Sequence, residues 1–328
     1  MIIDTHGHIS LCPEVLAYKA QLHASLGNPD VGPPKISDDR LAEFGKKHID
    51  LLDIVGTDIQ LISPRPFHMM HSLRPHRVVA EWTRFVNEII HRTCQLFPDR
   101  FIGVCGLPQA TGESLDGAIL ELEKCVRDFG FVGCVINPDP SEGGFPIPPG
   151  MGDPYWYPLY AKMCELDVPG LIHSASCSSP RESYTLHFIN EESIAVVSLL
   201  ESEVFKKFPN LKIQVGHGGG AIPYQVARFE SWRSKKSSPE SFRDSMRKLW
   251  YDTCVYNSEG LDLLFKIVGT DRCAFGTENP GTGSSPDPIT GRQFDDLKPV
   301  IENDIPWLTE KDKFLILEGV PKSLYKLL

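Results

Sequence analysis

The sequence predicts an α/β fold of the (β/α)8 TIM barrel type, built as one domain over residues 1–328 with long βα loops over one end. Three observations support this prediction. Eight short, β-branched apolar runs alternate with amphipathic segments, as buried parallel strands alternate with covering helices. No Gly-x-Gly-x-x-Gly motif follows the first run, so a doubly wound open sheet is disfavoured. Polar residues suited to chemistry follow several runs at equivalent positions, where barrels form their sites.

The predicted strands are short, and most are bounded by glycine, proline or aspartate, as expected for strands buried on both faces. In chain order they span residues 2–4, 58–62, 100–107, 132–137, 169–173, 211–217, 249–253 and 272–276. A segment long enough for a helix separates each strand from the next, which parallel pairing requires.

The predicted helices carry apolar residues three or four positions apart, which places those residues on one face. In chain order they span residues 40–55, 77–97, 114–129, 155–166, 192–208, 223–232, 258–268 and 311–327. Ser114 is a candidate N-cap for the third of them.

Two segments interrupt the alternation of strands and helices. Residues 9–39 and 139–154 are rich in proline and glycine, so both are predicted as loops rather than as helix or central strand. Both follow predicted strands, and long loops at that end of a barrel often form lids or substrate walls. Residues 234–247 are charged and are predicted as a solvated helix or loop.

Composition limits the partners and the compartment. Lys plus Arg number 33 and Asp plus Glu number 43, a net charge of −10, which disfavours general binding to nucleic acid or to an anionic membrane. No uncharged apolar run approaches the ~18 residues of a membrane span, and the first residues lack the pattern of a signal peptide. Nine scattered cysteines suit reduced core thiols. We therefore expect a cytoplasmic protein that binds a small molecule.

The strongest chemical signal lies at the end of the first predicted strand, which continues as Asp4-Thr-His6-Gly-His8. Residues i and i+2 of an extended strand point to the same side, so His6 and His8 can converge on one ion. Neutral imidazole is a preferred ligand of zinc and also binds manganese or iron. The pair therefore predicts half of a metal site.

Three further polar residues follow later strands. His173 ends the fifth, His217 ends the sixth, and Glu278 lies just past the eighth. The carboxyl ends of barrel strands share one rim, so we expect these residues to lie near His6 and His8. Packing alone does not explain four histidines and a carboxylate at equivalent positions, which favours a metal-dependent enzyme. The alternative is a binding protein with a vestigial site, which would purify without stoichiometric metal.

This pattern resembles the amidohydrolase superfamily, which has His-x-His on strand one, histidines on strands five and six, and an acid on strand eight. The phrase that runs from His217 through three glycines to Tyr224, followed by Arg228, is similar to the amidohydrolase 2 branch. So is the short segment from His187 to Asn190. The resemblance spans nearly the whole chain and implies a metal-dependent decarboxylase or hydratase.

The acid on strand eight departs from the usual pattern of that branch. Most members carry aspartate there, whereas this chain carries Glu278 in Gly-Thr-Glu-Asn-Pro. That glutamate resembles the members that add water to a conjugated oxo-tricarboxylate. A decarboxylase of a carboxylated diene or aromatic acid is the first alternative, and a lactone hydrolase is the second. Asn137 ends strand four, where binuclear members carry a bridging lysine or glutamate, so the resemblance implies one metal ion.

Hydration of an activated alkene needs a base for the water, an acid for the carbon and a Lewis acid for the enolate. One zinc ion per subunit, held by His6, His8 and His173, would serve as the Lewis acid, and manganese or iron would also suit these ligands. Glu278 could be the base, a metal ligand or both, and we favour the base. His217 could protonate the carbon or stabilise the enolate.

A polycarboxylate substrate needs cations and polar donors at the same rim. The candidate substrate-binding residues are Arg65, Asn137, Asn190, Tyr224 and Arg228. Each of them, taken singly, could equally form a surface ion pair or a cap. By analogy with barrels of this branch, we expect a homo-oligomer such as a dimer.

Overall fold

The computed structural model describes residues 1–28, 32–236 and 239–328. The paired strands run parallel to one another, in one sheet ordered β1-β2-β3 and a second ordered β4-β5-β6-β7-β8. These strands are β1 (Ile3–His8), β2 (Ile59–Ser63), β3 (Phe101–Gly103), β4 (Cys105–Gly106), β5 (Cys134–Ile136), β6 (Gly170–Ile172), β7 (Ile213–Val215) and β8 (Trp250–Tyr251).

Backbone hydrogen bonds join the two sheets into a closed barrel. Only Val104 separates β3 from β4, so these two strands form one extended segment that links the sheets. At the other seam, a segment after β8 lies between β8 and β1. Ala274 N–H donates to the Tyr251 carbonyl at 2.9 Å, and Thr5 N–H donates to the Phe275 carbonyl at 2.8 Å. The predicted (β/α)8 barrel is therefore confirmed.

Helices cover the outside of the barrel, and the apolar face of the helix predicted over residues 77–97, with Val78, Trp82 and Ile89, is buried. None of the described helices has the length and apolar character needed to cross a membrane. In chain order the helices are α1 (Pro13–Ala24), α2 (Asp38–Val55), α3 (Arg77–Leu96), α4 (Asp116–Phe129), α5 (Tyr157–Leu166), α6 (Tyr184–Leu200), α7 (Val204–Lys207), α8 (Ile222–Ser234), α9 (Phe242–Met246), α10 (Ser258–Val268), α11 (Glu310–Phe314) and α12 (Val320–Tyr325).

The last helix closes one end of the barrel. Leu324 and Tyr325 of α12 pack against a small apolar cluster that the strands contribute to the barrel interior. The Tyr325 hydroxyl donates to Gln214 Oε1 at 3.1 Å. The strand residues of this cluster are Ile3, Leu61, Val104, Val135 and Leu171. With this end filled, the opposite rim remains for polar residues.

Two segments that the composition marks as irregular contain helices. Residues 9–39 hold α1, which starts at Pro13, a residue well suited to a first helical turn, where its missing N–H leaves no bond unmade. Residues 234–247 hold α9, whose N-cap Ser241 accepts from the N–H of Asp244. Residues 29–31 and 237–238 of these segments lie outside the described part of the chain. The prediction of a loop over 139–154 is confirmed, because the next helical turn begins at Pro154.

Three helix predictions need correction. Ser114 is not the N-cap of α4, because Leu115 occupies that position without a side-chain cap. The helix predicted over 192–208 begins eight residues earlier as α6, where Ser183 accepts from the N–H of Leu186, and a break separates it from α7. The helix predicted over 311–327 is interrupted by a π-helical turn at Leu315–Gly319.

Candidate metal centre and active site

Four side chains meet at the open rim of the barrel. His6 and His8 lie in the second half of β1, His173 directly follows β6, and Glu278 follows the segment that closes the ring. One ligand atom from each of these four lies within 4.8 Å of the others. Glu278 Oε1 is 3.6 Å from His173 Nε2 and 3.9 Å from His8 Nε2. Two ligands about 2.1 Å from one ion are separated by roughly 3 to 4 Å, so the spacing suits a shared metal ion.

The free nitrogens of the three histidines also fit a metal. His6 Nε2, His8 Nε2 and His173 Nε2 are buried and have no hydrogen-bond partner, and each such orphan costs about 1–3 kcal/mol. Burial lowers the pKa of His8 and of His173, which keeps both rings in the neutral form that binds metal. A divalent cation would satisfy all three nitrogens at once.

Partners on the opposite ring nitrogens hold these histidines in place. His6 Nδ1 lies 2.6 Å from Asp252 Oδ2, and His8 Nδ1 lies 2.8 Å from Ser63 Oγ. His173 Nδ1 lies 2.5 Å from the carbonyl of Ser174. A carboxylate and a carbonyl accept only, so the Nδ1 atoms of His6 and His173 carry the proton and Nε2 is left as the ligand.

Replacing Asp252 by asparagine should weaken metal binding at this centre by about 10- to 100-fold, the usual effect of changing a residue that orients a ligand. The asparagine would keep an oxygen near His6 but would lose the charge that makes the ring more basic. Chelator competition on purified protein measures the affinity. Asp128→Asn, an exposed change on α4, is the matched control. Equal affinities for the Asp252 variant and wild type would exclude this role.

His217 lies beside the four ligands but is held by a different carboxylate. Its Nδ1 is 2.9 Å and 3.0 Å from the two oxygens of Glu192, and its Nε2 is 3.8 Å from Glu278 Oε1. Burial opposes protonation of His217, but the Glu192 carboxylate raises the pKa of the imidazole well above its usual range. The Glu192 carboxylate thus favours the protonated form of His217, whose Nε2 faces the metal centre.

The two oxygens of Glu278 have different surroundings. Oε1 faces the histidines, whereas Oε2 accepts a hydrogen bond of 2.9 Å from the Tyr256 hydroxyl. Burial would raise the pKa of Glu278, but His173 and His217 hold the pKa well below its usual range. The carboxylate is therefore ionised, with one oxygen available to a metal or to a water.

The backbone is strained at His217 and at Glu278. His217 has φ +50° and Glu278 has φ +61°, a left-handed conformation that costs a residue other than glycine about 1–3 kcal/mol. The glycines after His217 allow the tight turn, because a Cβ at Gly220 would lie 2.5 Å from Ser193 Oγ and 2.6 Å from the carbonyl of Ile189. Strain of this kind concentrates at functional sites.

This strain has a measurable consequence for stability. A His217→Gly variant should be more stable than a His217→Ala variant by roughly 1 kcal/mol, because glycine adopts positive φ without steric cost. Both variants lack the imidazole, so the comparison isolates the backbone. Chemical denaturation of the two proteins under the same metal conditions gives the difference. Equal unfolding free energies would show that His217 is not strained.

The five predicted substrate-binding residues occupy different surroundings. Arg65 donates to the carbonyl of Pro280 at 2.7 Å, two residues after Glu278, so it lies beside the centre. Burial lowers the pKa of Arg65, and the negative charge of Glu278 opposes this effect. Both polar atoms of the Asn137 side chain contact other protein groups, His71 Nδ1 at 2.9 Å and the N–H of Asp139 at 3.0 Å.

The other three candidates lie farther from the four ligands. Asn190 donates to Glu182 at 2.9 Å and lines a neighbouring cavity. Tyr224 is 77% exposed and Arg228 is exposed, both on α8. Arg65 thus lies beside the metal centre, and Asn137 lines a small cavity together with His173. The roles of all five residues stay predictions.

Four residues of the site are not among the sequence-based candidates. Asp252 directly follows β8, within the strand predicted over residues 249–253, so the rule that finds His173 and His217 could also have found it. Ser63 ends β2, so the same rule could have found it. Glu192 lies inside α6 and Tyr256 lies before α10, and neither has a local signal in the sequence.

The chain is an amidohydrolase-type barrel with a divalent-metal site on its rim, and comparison with known proteins agrees. The family model Amidohydro_2, described as Amidohydrolase, matches residues 3–327, so the chain belongs to this family. A curated relative, 2-keto-4-carboxy-3-hexenedioate hydratase of Sphingobium sp. (strain NBRC 103272 / SYK-6), is 36% identical over 330 residues, which cover 99% of this chain and 96% of the relative.

Two further proteins indicate where the chain lies within the family. The crystal structure of 4-oxalomesaconate hydratase from Rhodopseudomonas palustris matches with a TM-score of 0.88 and 36% identity, covering 99% of this chain and 96% of that chain. Gamma-resorcylate decarboxylase of Rhizobium sp. (strain MTP-10005) is 27% identical over 260 residues, 74% of this chain and 78% of the relative. The chain is therefore more similar to these hydratases than to this decarboxylase.

Proposed function

We propose that the protein is a metal-dependent hydro-lyase that adds water to 4-oxalomesaconate to give 4-carboxy-4-hydroxy-2-oxoadipate, a step of protocatechuate 4,5-cleavage. The observation that carries the proposal is Glu278, a glutamate where most of the branch has aspartate, whose Oε1 lies among the histidine nitrogens of the site. Identity of 36% to a hydratase along 99% of the chain supports it. In this proposal, residues 1–328 form one domain, and the enzyme works in the cytoplasm as a homodimer.

His6, His8 and His173 would hold the metal, and Glu278 Oε1 lies close enough to them to ligate the ion at one stage and to act as the base at another. A bound divalent ion, for which we propose zinc, would act as a Lewis acid that stabilises the negative charge that develops on the substrate as water adds. The hydrogen bond from Tyr256 to Oε2 keeps Oε1 of Glu278 turned toward the substrate side.

Glu278 and His217 would divide the proton transfers. Glu278 takes one proton from the attacking water, whose oxygen forms the new C–O bond at C4. His217 gives one proton to the other carbon of the double bond, and Glu192 at 2.9 Å keeps His217 charged beforehand. The two residues then exchange protons with solvent, so that the reaction adds one water overall.

Arg65 would bind one of the three substrate carboxylates. Its guanidinium is partly buried and lies near Glu278, and a fixed guanidinium forms paired hydrogen bonds to a carboxylate. Asn190, Tyr224 and Arg228 remain proposed contacts for the other carboxylates. Asn137 would act by orienting His71 and the loop at Asp139.

Replacing Arg65 by methionine should raise KM about 10- to 100-fold, because a hydrogen bond to a charged group contributes roughly 1.5–3 kcal/mol. The effect on kcat should be smaller, since Arg65 is proposed to bind the substrate rather than to move protons. Steady-state kinetics separate the two constants. Arg84→Met, an arginine paired with Glu81 on the outer surface of α3, is the control. An unchanged KM would remove Arg65 from the substrate site.

The proposed reaction is tested directly by incubating the purified, metal-loaded protein with 4-oxalomesaconate and measuring the mass of the product. A gain of one water is the expected result. Loss of one CO₂ would instead identify a decarboxylase of the same branch, and an unchanged mass would reject this substrate.

A further inference from the structure

A second polar cavity lies on the other side of α6 from the metal centre. It has a volume of about 560 Å³ and is formed by the loop after β5, the loop before α6 and one face of α6. We call it the α6 cavity, and its polar lining residues include Asp139, Ser141, Glu182, His187, Asn190 and Glu191. Asn190 is also a proposed substrate contact, but the proposed metal centre and proton transfers make no use of this cavity.

Helix α6 separates this cavity from the metal centre. Phe188 and Glu192 are four residues apart and so lie on one face of α6. The ring of Phe188 stacks on the ring of His217 with centroids 5.7 Å apart, and Glu192 Oε1 lies 2.9 Å from His217 Nδ1. His187 and Glu191, also four residues apart, face the α6 cavity instead. The two sites are thus built from adjacent residues of one helix but are distinct.

His187 in the α6 cavity is arranged like the histidines of the metal centre. Its side chain is 1% exposed, and its Nδ1 lies 2.7 Å from Glu182 Oε2, so the proton is on Nδ1. Its Nε2 is buried without a hydrogen-bond partner and lies 3.7 Å from Asp139 Oδ2. That separation matches two ligands of one ion, which lie roughly 3 to 4 Å apart.

Two carboxylates complete a set of three ligands. Asp139 is fixed by its own loop, since Oδ1 accepts from the N–H of Ser141 at 2.9 Å and Oδ2 accepts from the N–H of Gly143 at 2.6 Å. Ligand atoms from Asp139, His187 and Glu191 all lie within 4.8 Å of one another. Burial, together with the charge of Asp139, raises the pKa of Glu191 to about 7, and a cation between them would stabilise the ionised form.

The charge of the α6 cavity favours a cation over an anionic substrate. Among the described residues that line it, Asp139, Glu182 and Glu191 are acidic, and Arg181 is the one lysine or arginine. Arg181 is exposed. A polycarboxylate would be repelled by the three carboxylates, whereas a divalent cation would be attracted.

We propose that Asp139, His187 and Glu191 form a second divalent-metal site, selective for transition metals such as zinc or manganese over calcium and magnesium. The imidazole ligand gives this selectivity, because calcium and magnesium prefer oxygen. Water would fill the remaining positions. The ion would tie the loop after β5 to α6 and so fix one wall of the rim. This inference does not depend on which reaction the metal centre catalyses.

Equilibrium dialysis of the full chain against Mn²⁺, with the bound ion counted by mass spectrometry, tests the second site. We expect two ions per chain in wild type and one in each of His187→Gln and Glu191→Gln. Glu81→Gln, the same charge change on the surface of α3, should keep two. Excess Ca²⁺ should leave the stoichiometry unchanged.

Variants of the metal centre distinguish the two sites. His173→Ala should also bind one ion, and the double variant His173→Ala/His187→Gln should bind none. Wild type that binds only one ion would overturn the proposal, as would two ions retained by both His187→Gln and Glu191→Gln. Glu191 is only partly buried, so its variant should fold even if the change at buried His187 does not.

Discussion

Glu278→Gln should lower kcat by about 100- to 10,000-fold, the range that a general base contributes. Glutamine has nearly the shape of glutamate and can still accept the hydrogen bond from Tyr256, so the fold and most of the substrate affinity should survive. What is lost is the negative oxygen that faces the water. Steady-state kinetics with 4-oxalomesaconate, run beside the surface control Glu259→Gln, measure the effect.

Metal content separates the two roles open to Glu278. A variant that keeps its metal and loses turnover has lost the base, as we expect. A variant that loses both has lost a ligand, which would assign Glu278 Oε1 chiefly to the metal. Near-normal turnover would contradict the proposed role of Glu278 altogether.

His173→Ala should remove one metal ion per chain and abolish activity together. His173 supplies one of three buried nitrogens that have no other partner, and alanine supplies no donor. The loss of affinity should exceed the roughly 10- to 100-fold expected for changing an orienting residue such as Asp252. His6→Ala should behave in the same way. Metal analysis and activity measurements on the same preparations give both quantities.

His91→Ala is the matched control for these variants, because His91 stacks on Phe129 outside the barrel and belongs to none of the metal-ligand groups. It should keep metal and activity. Activity that persists in His173→Ala after its metal is lost would show that the reaction does not need this centre.

The sequence predicts the rim of the barrel better than it predicts the outer helices. His6, His8, His173 and Glu278 meet as expected because one physical rule, the shared rim of parallel strand ends, applies to all of them. Helix α1 was not predicted, because its 12 residues lie in a segment whose overall proline and glycine content is typical of a loop. Ser183, the true N-cap of α6, is a local signal that could have placed its start.

Contacts made across the fold are harder to derive from the sequence. Glu192 sets the charge of His217 from within a helix, and its role depends on how α6 packs rather than on any motif. Tyr224 and Arg228 follow His217 closely in sequence, but α8 carries them to the surface of the chain. Closeness in sequence to His217 therefore does not bring these two side chains beside the metal centre, and their proposed contacts with substrate stay predictions.

The left-handed backbone at His217 and Glu278 has a consequence for protein engineering. At both positions the protein gives up folding free energy to aim a side chain, which is the physical form of a trade-off between stability and activity. Screening for heat resistance alone would therefore favour glycine at these two positions and would remove the imidazole and the carboxylate that we propose to transfer protons. Libraries built on this scaffold should hold both residues fixed and seek stability in the outer helices.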